Sequence, residues 1–361
     1  MAATLIGFTG FASGAEPSES FPSLTFWDAM YSARGGAGYK DNVFLAHDDP
    51  ERSAFLSAGG EIIVLRVAAV GPQFSFLAAG DVNRFLAVSH IESTAFSQAQ
   101  VEQEFGASWK GSVAAEYFFQ DQVVDVSVSE TNREAVPAFG HTLTMRPSLR
   151  QDLPQRFWMA LETPASRQLF DSPLDDYTEV GPRLTLGQSY GRDSHLALSY
   201  GALWRFYDEE PARTATGEVI TNETRALFQQ EVRLTWRHFW DEPKQWRTTL
   251  NLAGRFNDDN GGGYFDYVRP LASAQVQYRA KPWEITAETR VALYDFDEQT
   301  VSATDLSKRR RTDWSAEIRA ERQLGKYFRL IAGFEHEQTF SNDELETYSV
   351  NTVSGSIQWE F

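Results

Sequence analysis

From Trp27 to Phe361 apolar and polar residues alternate with a period of two, segment after segment. Successive side chains of a strand point to opposite faces, so each such segment has one oily and one polar face. In 246–256, Trp246, Thr248, Leu250, Leu252, Gly254 and Phe256 share one side, and Arg247, Thr249, Asn251, Ala253 and Arg255 the other. In 194–208, Leu196, Leu198, Tyr200, Ala202, Trp204 and Phe206 oppose Ser199, Gly201 and Arg205. In the stretch after Phe328, Leu330, Ala332 and Phe334 oppose Arg329, Gly333 and Glu335. Helical periodicity is nearly absent, and no run approaches the ~18 apolar residues of a membrane-crossing helix. A chain of this kind folds as strands, and if it crosses a membrane it does so as a closed barrel.

The alternation gives about sixteen strands, within a range of fourteen to eighteen: 27–44, 54–68, 72–86, 94–108, 109–120, 138–150, 156–163, 177–189, 194–208, 223–240, 244–257, 264–280, 283–296, 311–323, 327–340 and 348–361. Around Leu56 to Arg66 it slips by one, which predicts a bulge or a displaced boundary. Short connections such as Asp241-Glu242-Pro243-Lys244, Ala280-Lys281-Pro282 and Leu324-Gly325-Lys326 alternate with longer, acidic ones such as 46–52, 120–137, 208–222, 296–307 and 341–347. Such alternation puts the two ends of the strand array in different compartments, as in a barrel with short inner turns and long outer loops. The expected fold is all-β: a single transmembrane antiparallel up-and-down barrel over 27–361.

Aromatic residues make up 14 % of the chain, with ten Trp. In this topology Trp27, Trp109, Trp236, Trp240, Trp246, Trp283 and Trp359 fall beside the short turns, as does Trp158 with ambiguous parity. Tyr39, Tyr117, Phe119, Phe206, Tyr207, Tyr264, Tyr267, Tyr294 and Phe296 gather at the other end. Two such rings are the expected girdles where hydrocarbon meets headgroups.

There is no cysteine, which excludes thiol nucleophiles, redox dithiols and disulfide scaffolds. With 33 basic against 50 acidic side chains, the net charge is −17, and nothing is left over to neutralise a nucleic acid. Residues 1–15 are apolar and rich in small residues, and Ser13 and Ala15 suit signal-peptidase cleavage. A basic start is missing; a signal peptide truncated at its start explains that, and an ordinary flexible N-terminus is the alternative. Residues 16–26 then form a periplasmic N-terminal segment.

At the other terminus Val353, Ile357, Trp359 and Phe361 share one parity. Ile357, Trp359 and Phe361 resemble the C-terminal signature of bacterial outer-membrane barrels, which the barrel-assembly machinery recognises. The stretch 36–44, GAGYKDNVF, is similar to the segment that opens many barrels of the β-barrel porin 2 type, some associated with exopolysaccharide export. Lys40 stands where that pattern has an acid. The resemblance implies a porin in the outer membrane of a Gram-negative-type bacterium, with outer-membrane lipids, lipopolysaccharide and the assembly machinery as partners.

Sixteen tilted strands ~4.8 Å apart close into a ring about 30 Å across, too wide for wall side chains to fill. Parity places Arg183, Arg205, Arg233, Arg237, Arg247, Arg255, Arg269, Arg290, Arg319 and Arg329 in the lumen, with Glu231, Glu284, Glu288, Glu317, Glu321, Glu335 and Glu360. These charges either screen solutes or pair across neighbouring strands. The longest connection, 120–137, either folds into the pore, as the corresponding loop of general porins does, or extends its strands outward through Val123, Val124, Val126 and Val128. Lys308-Arg309-Arg310-Arg311 sits at an outer strand end, as a lipopolysaccharide-phosphate contact or as partner to the loop acids.

None of the six histidines forms a metal array, and no nucleophile elbow or P-loop is present. No metal or cofactor is called for. The expected function is a pore passing polar solutes or exported polysaccharide without covalent chemistry. A loop-plugged scaffold or adhesin is the second reading, and a lipid-modifying enzyme the third.

Overall fold

The computed structural model describes residues 27–361 except 67–70, 131–132, 134, 192 and 303. The expected signal peptide and N-terminal segment lie outside the described residues. The strands are β1 (Asp28–Lys40), β2 (Ser53–Arg66), β3 (Gln73–Phe85), β4 (Ile91–Phe105), β5 (Trp109–Asp125), β6 (Ala135–Asp152), β7 (Phe157–Glu162), β8 (Ala165–Phe170), β9 (Tyr177–Val180), β10 (Arg183–Tyr190), β11 (Ser194–Arg213), β12 (Val219–Phe239), β13 (Trp246–Asp259), β14 (Tyr267–Ala280), β15 (Trp283–Thr300), β16 (Lys308–Leu324), β17 (Phe328–Ser341) and β18 (Tyr348–Glu360). All pairings are antiparallel, consecutive strands lie side by side except β7 with β8 and β9 with β10, and β1 pairs with β18, so the sheet has no free edge.

The eighteen segments build sixteen staves. β7 and β8 lie end to end along β6, and β9 and β10 lie end to end along β11. Thr163-Pro164 and Gly181-Pro182 make the two breaks. Thr163 donates to Pro147 O, Gly181 to Pro164 O and Ala202 to Pro182 O. A proline has no N–H to return, so each of these three pairs carries one hydrogen bond instead of two. The seventh stave therefore continues past the expected boundary at 163. The predicted slip near Leu56 is not a bulge: β2 runs in unbroken register against both β1 and β3. Its pattern blurs because Ile63 and Leu65 face the lumen while Leu56 and Ile62 face outward.

The hydrophobic pattern is inverted relative to a soluble protein. Leu198, Leu252 and Ile318 are 51 %, 56 % and 52 % exposed on the outside of the wall. A belt of such residues is stable only against hydrocarbon. Buried apolar clusters instead occupy the lumen's long-loop end: Val126 with Val136, Ala138 and Leu174; Tyr177, Tyr207, Leu227 and Phe265; Tyr267, Ala292, Tyr294 and Phe296. The expected second girdle is thus divided. Tyr39 and Phe206 point outward, whereas Tyr207, Tyr267, Tyr294 and Phe296 point inward.

The GAGYKDNVF stretch serves closure. A Cβ at Gly36 would sit 2.4 Å from Gly355 O on β18, and one at Gly38 would sit 2.3 Å from the Phe55 ring. Asn42, buried, donates to Ala46 O (2.8 Å) and Ser349 O (3.2 Å). Asp41 accepts from the Asn351 backbone at 2.7 Å. Phe361 and Tyr31 exchange backbone hydrogen bonds of 3.0 and 3.2 Å.

Candidate functional site

Polar side chains of one parity line the inner wall and pair along and across staves. Glu231 on β12 is a hub, 2.8 Å from Arg255 on β13, 2.9 Å from Arg233 and 3.9 Å from Arg183 on β10. Glu321 on β16 bridges Arg319 (2.7 Å) and Arg329 (2.7 Å), and Arg329 also reaches Glu360 (2.8 Å). Arg279 pairs with Glu284 at 2.8 Å. Gln275 links Arg247 (3.3 Å) to Glu288 (2.8 Å). Arg205 pairs with Glu179 at 2.7 Å and stacks 4.3 Å from the Tyr177 ring. Opposite charges on facing strand positions satisfy one another. These pairs still leave charged groups partly exposed on the inner wall, Arg183 and Arg319 among them.

The sequence-derived charges differ in how they are partnered. Arg183, Arg205, Arg233, Arg255, Arg319, Arg329, Glu231 and Glu284 sit in ion pairs. The side chains of Arg269, Arg290 and Glu317 make no ion pair or hydrogen bond to another described residue, and Glu335 lies beside Glu337. Arg237 lies near the short-turn end of β12.

The loop tip at 126–130 is the feature that alternation does not disclose. β5 and β6 extend past the belt to Asp125 and from Ala135, pairing Val124 with Val136 and Val123 with Pro137. Residues 126–130 then fold into the lumen, where Val126 and Ser127 are buried. Both expectations for 120–137 hold in part: Val123 and Val124 extend a strand, and Val126 and Val128 belong to an inward tip.

Arginines of distant staves hold this tip. Arg225 on β12 donates to Ser129 O (2.7 Å) and Glu130 (2.9 Å). Its guanidinium lies 3.7 Å from the Tyr207 ring and 4.4 Å from Phe265. Arg309 on β16 donates to Ser127 O (2.9 Å), and its other nitrogens meet Gln299 (2.6 Å) and Glu346 (2.7 Å). Arg311 binds the Ser127 hydroxyl, and Asp125 at 2.6 Å. Arg133, from the loop itself, reaches Thr300 O (3.0 Å) and Asp343. Since β16 lies half-way round the wall from β5 and β6, the loop spans the lumen.

The run 308–311 is divided by the wall. Arg309 and Arg311 point inward and latch the loop, while Lys308 pairs with Glu298 and Arg310 with Asp295 at the rim. Arg225, Arg309 and Arg311 share parity with the other lumen residues of their strands. That parity was the signal for them; their target in the loop had none.

Around the outside, Trp27, Trp109, Trp240, Trp246, Trp283 and Trp359 stand exposed at the short-turn end. Trp236 stacks on His238 and donates to Tyr190. Trp158 faces inward over Gly187, with Arg150 4.5 Å from its ring. Trp359 packs against the terminal Phe361 at 4.8 Å, and Ile357 is exposed on the same face. Among the described residues no group of three or more histidines or carboxylates could hold a metal ion.

A closed antiparallel wall, apolar outside and charged within, with aromatics at its rim, defines a transmembrane β-barrel of the outer-membrane type. Among solved structures, the chain is similar to OccAB1 of Acinetobacter baumannii (11 % identity, 96 % of this chain and 99 % of that one, TM-score 0.48). It is also similar to the outer membrane protein OprD of Pseudomonas aeruginosa (10 % identity, 93 % of each chain, TM-score 0.46). No family model matches the chain, and neither does any curated protein.

Proposed function

We propose that the chain is an outer-membrane channel for small polar solutes, working without covalent chemistry, whose free cross-section is set by the loop tip at 126–130. The observation that carries this reading is a loop latched to the far wall inside a ring with a charged inner face. Apolar solutes gain nothing from such a lining, and the transverse charges sort polar ones. Lumen charges such as Arg183, Arg233, Arg255, Glu231 and Glu317 supply that sorting.

The reading includes contact with outer-membrane lipid and lipopolysaccharide, and delivery by an assembly machinery that reads Ile357, Trp359 and Phe361. Passage of an exported polysaccharide requires the loop to leave the lumen, so small solutes are favoured. Purified protein in planar bilayers is expected to conduct ions, and more so with the loop removed. A folded protein that stays silent in both forms overturns the channel and favours a plugged scaffold.

A further inference from the structure

We propose that the outer rim of β2–β4 seats the phosphate of a lipopolysaccharide molecule, with Arg84 as its counter-ion and the flat membrane-facing wall below as the bed of its acyl chains. The inference deepens the lipid contact named above and rests on that part of the reading; it is independent of conductance.

Arg84 stands at the long-loop end of β3. Its register partners are Leu56 on β2 and Ile91 on β4. Facing residues of an antiparallel pair share one side of the sheet. Leu56 and Ile91 are 54 % and 48 % exposed on the membrane side of the wall, so Arg84 stands with them at the edge of the apolar belt. Other outward cations at outer strand ends have an acid beside them: Arg167 pairs with Asp208, Lys308 with Glu298 and Arg310 with Asp295. The Arg84 side chain makes no ion pair or hydrogen bond to another described residue.

The turn 86–90 that follows borders a hollow of about 390 Å³, whose lining includes Arg84, Leu86, Val88, Ser89 and Ile91. Small-ligand sites span roughly 300–1,000 Å³. The Leu86 and Ala87 amides donate to the Ser53 hydroxyl oxygen (3.0 and 2.9 Å), and His90 donates to Val88 O. The Val88 and Ser89 N–H groups donate to no described residue. A guanidinium and free amides around one hollow suit an anion with several oxygens. Leu86 is 59 % exposed on the same rim, so the fitting anion is one that carries apolar surface with it.

Below Arg84 the outer wall is flat. The next outward rungs are Ala58, Val82 and Ser93, then Gly60, Gly80 and Ala95. On β11–β13, by contrast, Leu198, Leu234 and Leu252 share one outward rung. Small residues let a neighbour lie close against the backbone, and an extended acyl chain gains dispersion contact along its whole length there. An anion clamp above a shallow apolar trough is the outline of an anionic lipid. Its place at the long-loop end assigns that lipid to the outer leaflet, whose phosphate-bearing member is lipopolysaccharide.

The test reads lipid retention rather than flux. The full chain, folded in detergent micelles, is incubated with rough-type lipopolysaccharide, with the same material dephosphorylated, or with phosphatidylethanolamine, and native mass spectrometry counts the lipids and the copies of the chain in each particle. Retention of the phosphorylated form is expected to be about tenfold tighter than that of either other lipid, and Arg84→Gln should remove that tenfold preference, the worth of one charge-assisted contact. Ala58→Leu, which raises the floor of the trough, should weaken retention while keeping the preference. Arg310→Gln, a rim cation already paired with Asp295, should retain lipid as the parent does.

Arg84 is exposed, and the compact electrophoretic form of Arg84→Gln checks that the variant is folded. Absence of any retained lipopolysaccharide overturns both the subsite and the lipid contact on which it rests. Retention that Arg84→Gln leaves unchanged overturns the subsite alone. So does equal retention of phosphatidylethanolamine, or a lipid-independent oligomer that Ala58→Leu dissociates, which would give this face to a second copy of the chain.

Discussion

Loosening the loop tip at 126–130 is the perturbation that most directly tests what sets the bore. In Arg225→Ala two charge-assisted hydrogen bonds are lost, to Ser129 O and Glu130. At about 1.5 kcal/mol each, the low end for charged groups because a wet lumen offers replacement water, the latch weakens by about 3 kcal/mol. That shifts the ratio of docked to undocked loop about a hundredfold. Arg309→Ala removes a second anchor at Ser127 O, on the far wall. In the double variant only Arg311 and Arg133 still hold the tip, so it leaves the lumen far more often than in the parent and the mean free cross-section grows.

Single-channel recording is expected to show larger or strongly flickering conductance in the double variant, with each single variant between it and the parent. Partitioning of polyethylene glycols of graded size should show a wider cut-off. If the folded double variant matches the parent in both conductance and cut-off, the loop does not set the bore.

Other outcomes follow from particular side chains. Glu231→Gln leaves Arg255, Arg233 and Arg183 without their shared acid, so the reversal potential in a salt gradient should shift toward anion selectivity. Gly36→Val drives a Cβ into Gly355 O and should abolish the compact electrophoretic form of the folded barrel; Gly35→Val meets nothing within 4 Å and should retain it. In the loop between β13 and β14, burial together with the carboxylates of Asp259, Asp258 and Asp297 pushes Asp266 up to about 6. The folded loop thus holds this proton more tightly than the unfolded chain does. Its stabilising effect is full below about 3.9 and is lost as pH rises through about 6. Protection factors of Gly261, Gly263 and Phe265, whose N–H groups donate to Asp259, should fall as pH rises through about 6. Asp266→Asn should flatten that dependence.

The wall was legible because each stave carries its instruction locally: Leu196, Leu198 and Tyr200 against Ser199 and Gly201 need no partner to be read. The break at Pro164 was half legible. Proline marks the lost hydrogen bond, but only the neighbouring strand shows that the register continues into β8. What sequence could not show was which inward residues meet across the lumen. Val126 and Val128 continue the alternation of Val124, so the tip reads as strand until its anchors are seen. Those anchors lie far away in sequence: Ser127 meets Arg311 184 residues on. Tyr207, Tyr267 and Phe296 read as girdle residues for the same reason, since aromatic character near a strand end fits lipid and a loop bed equally well.

The bond between Tyr31 and Phe361 has a consequence for biogenesis. The cylinder is sealed by its first stave meeting its last, so every earlier state of the nascent wall has two sticky margins. Such an intermediate recruits strands from other chains as readily as its own. Delivery must therefore shelter those margins until the closing stave arrives, and damage near either end should surface as aggregation rather than as a leaky pore.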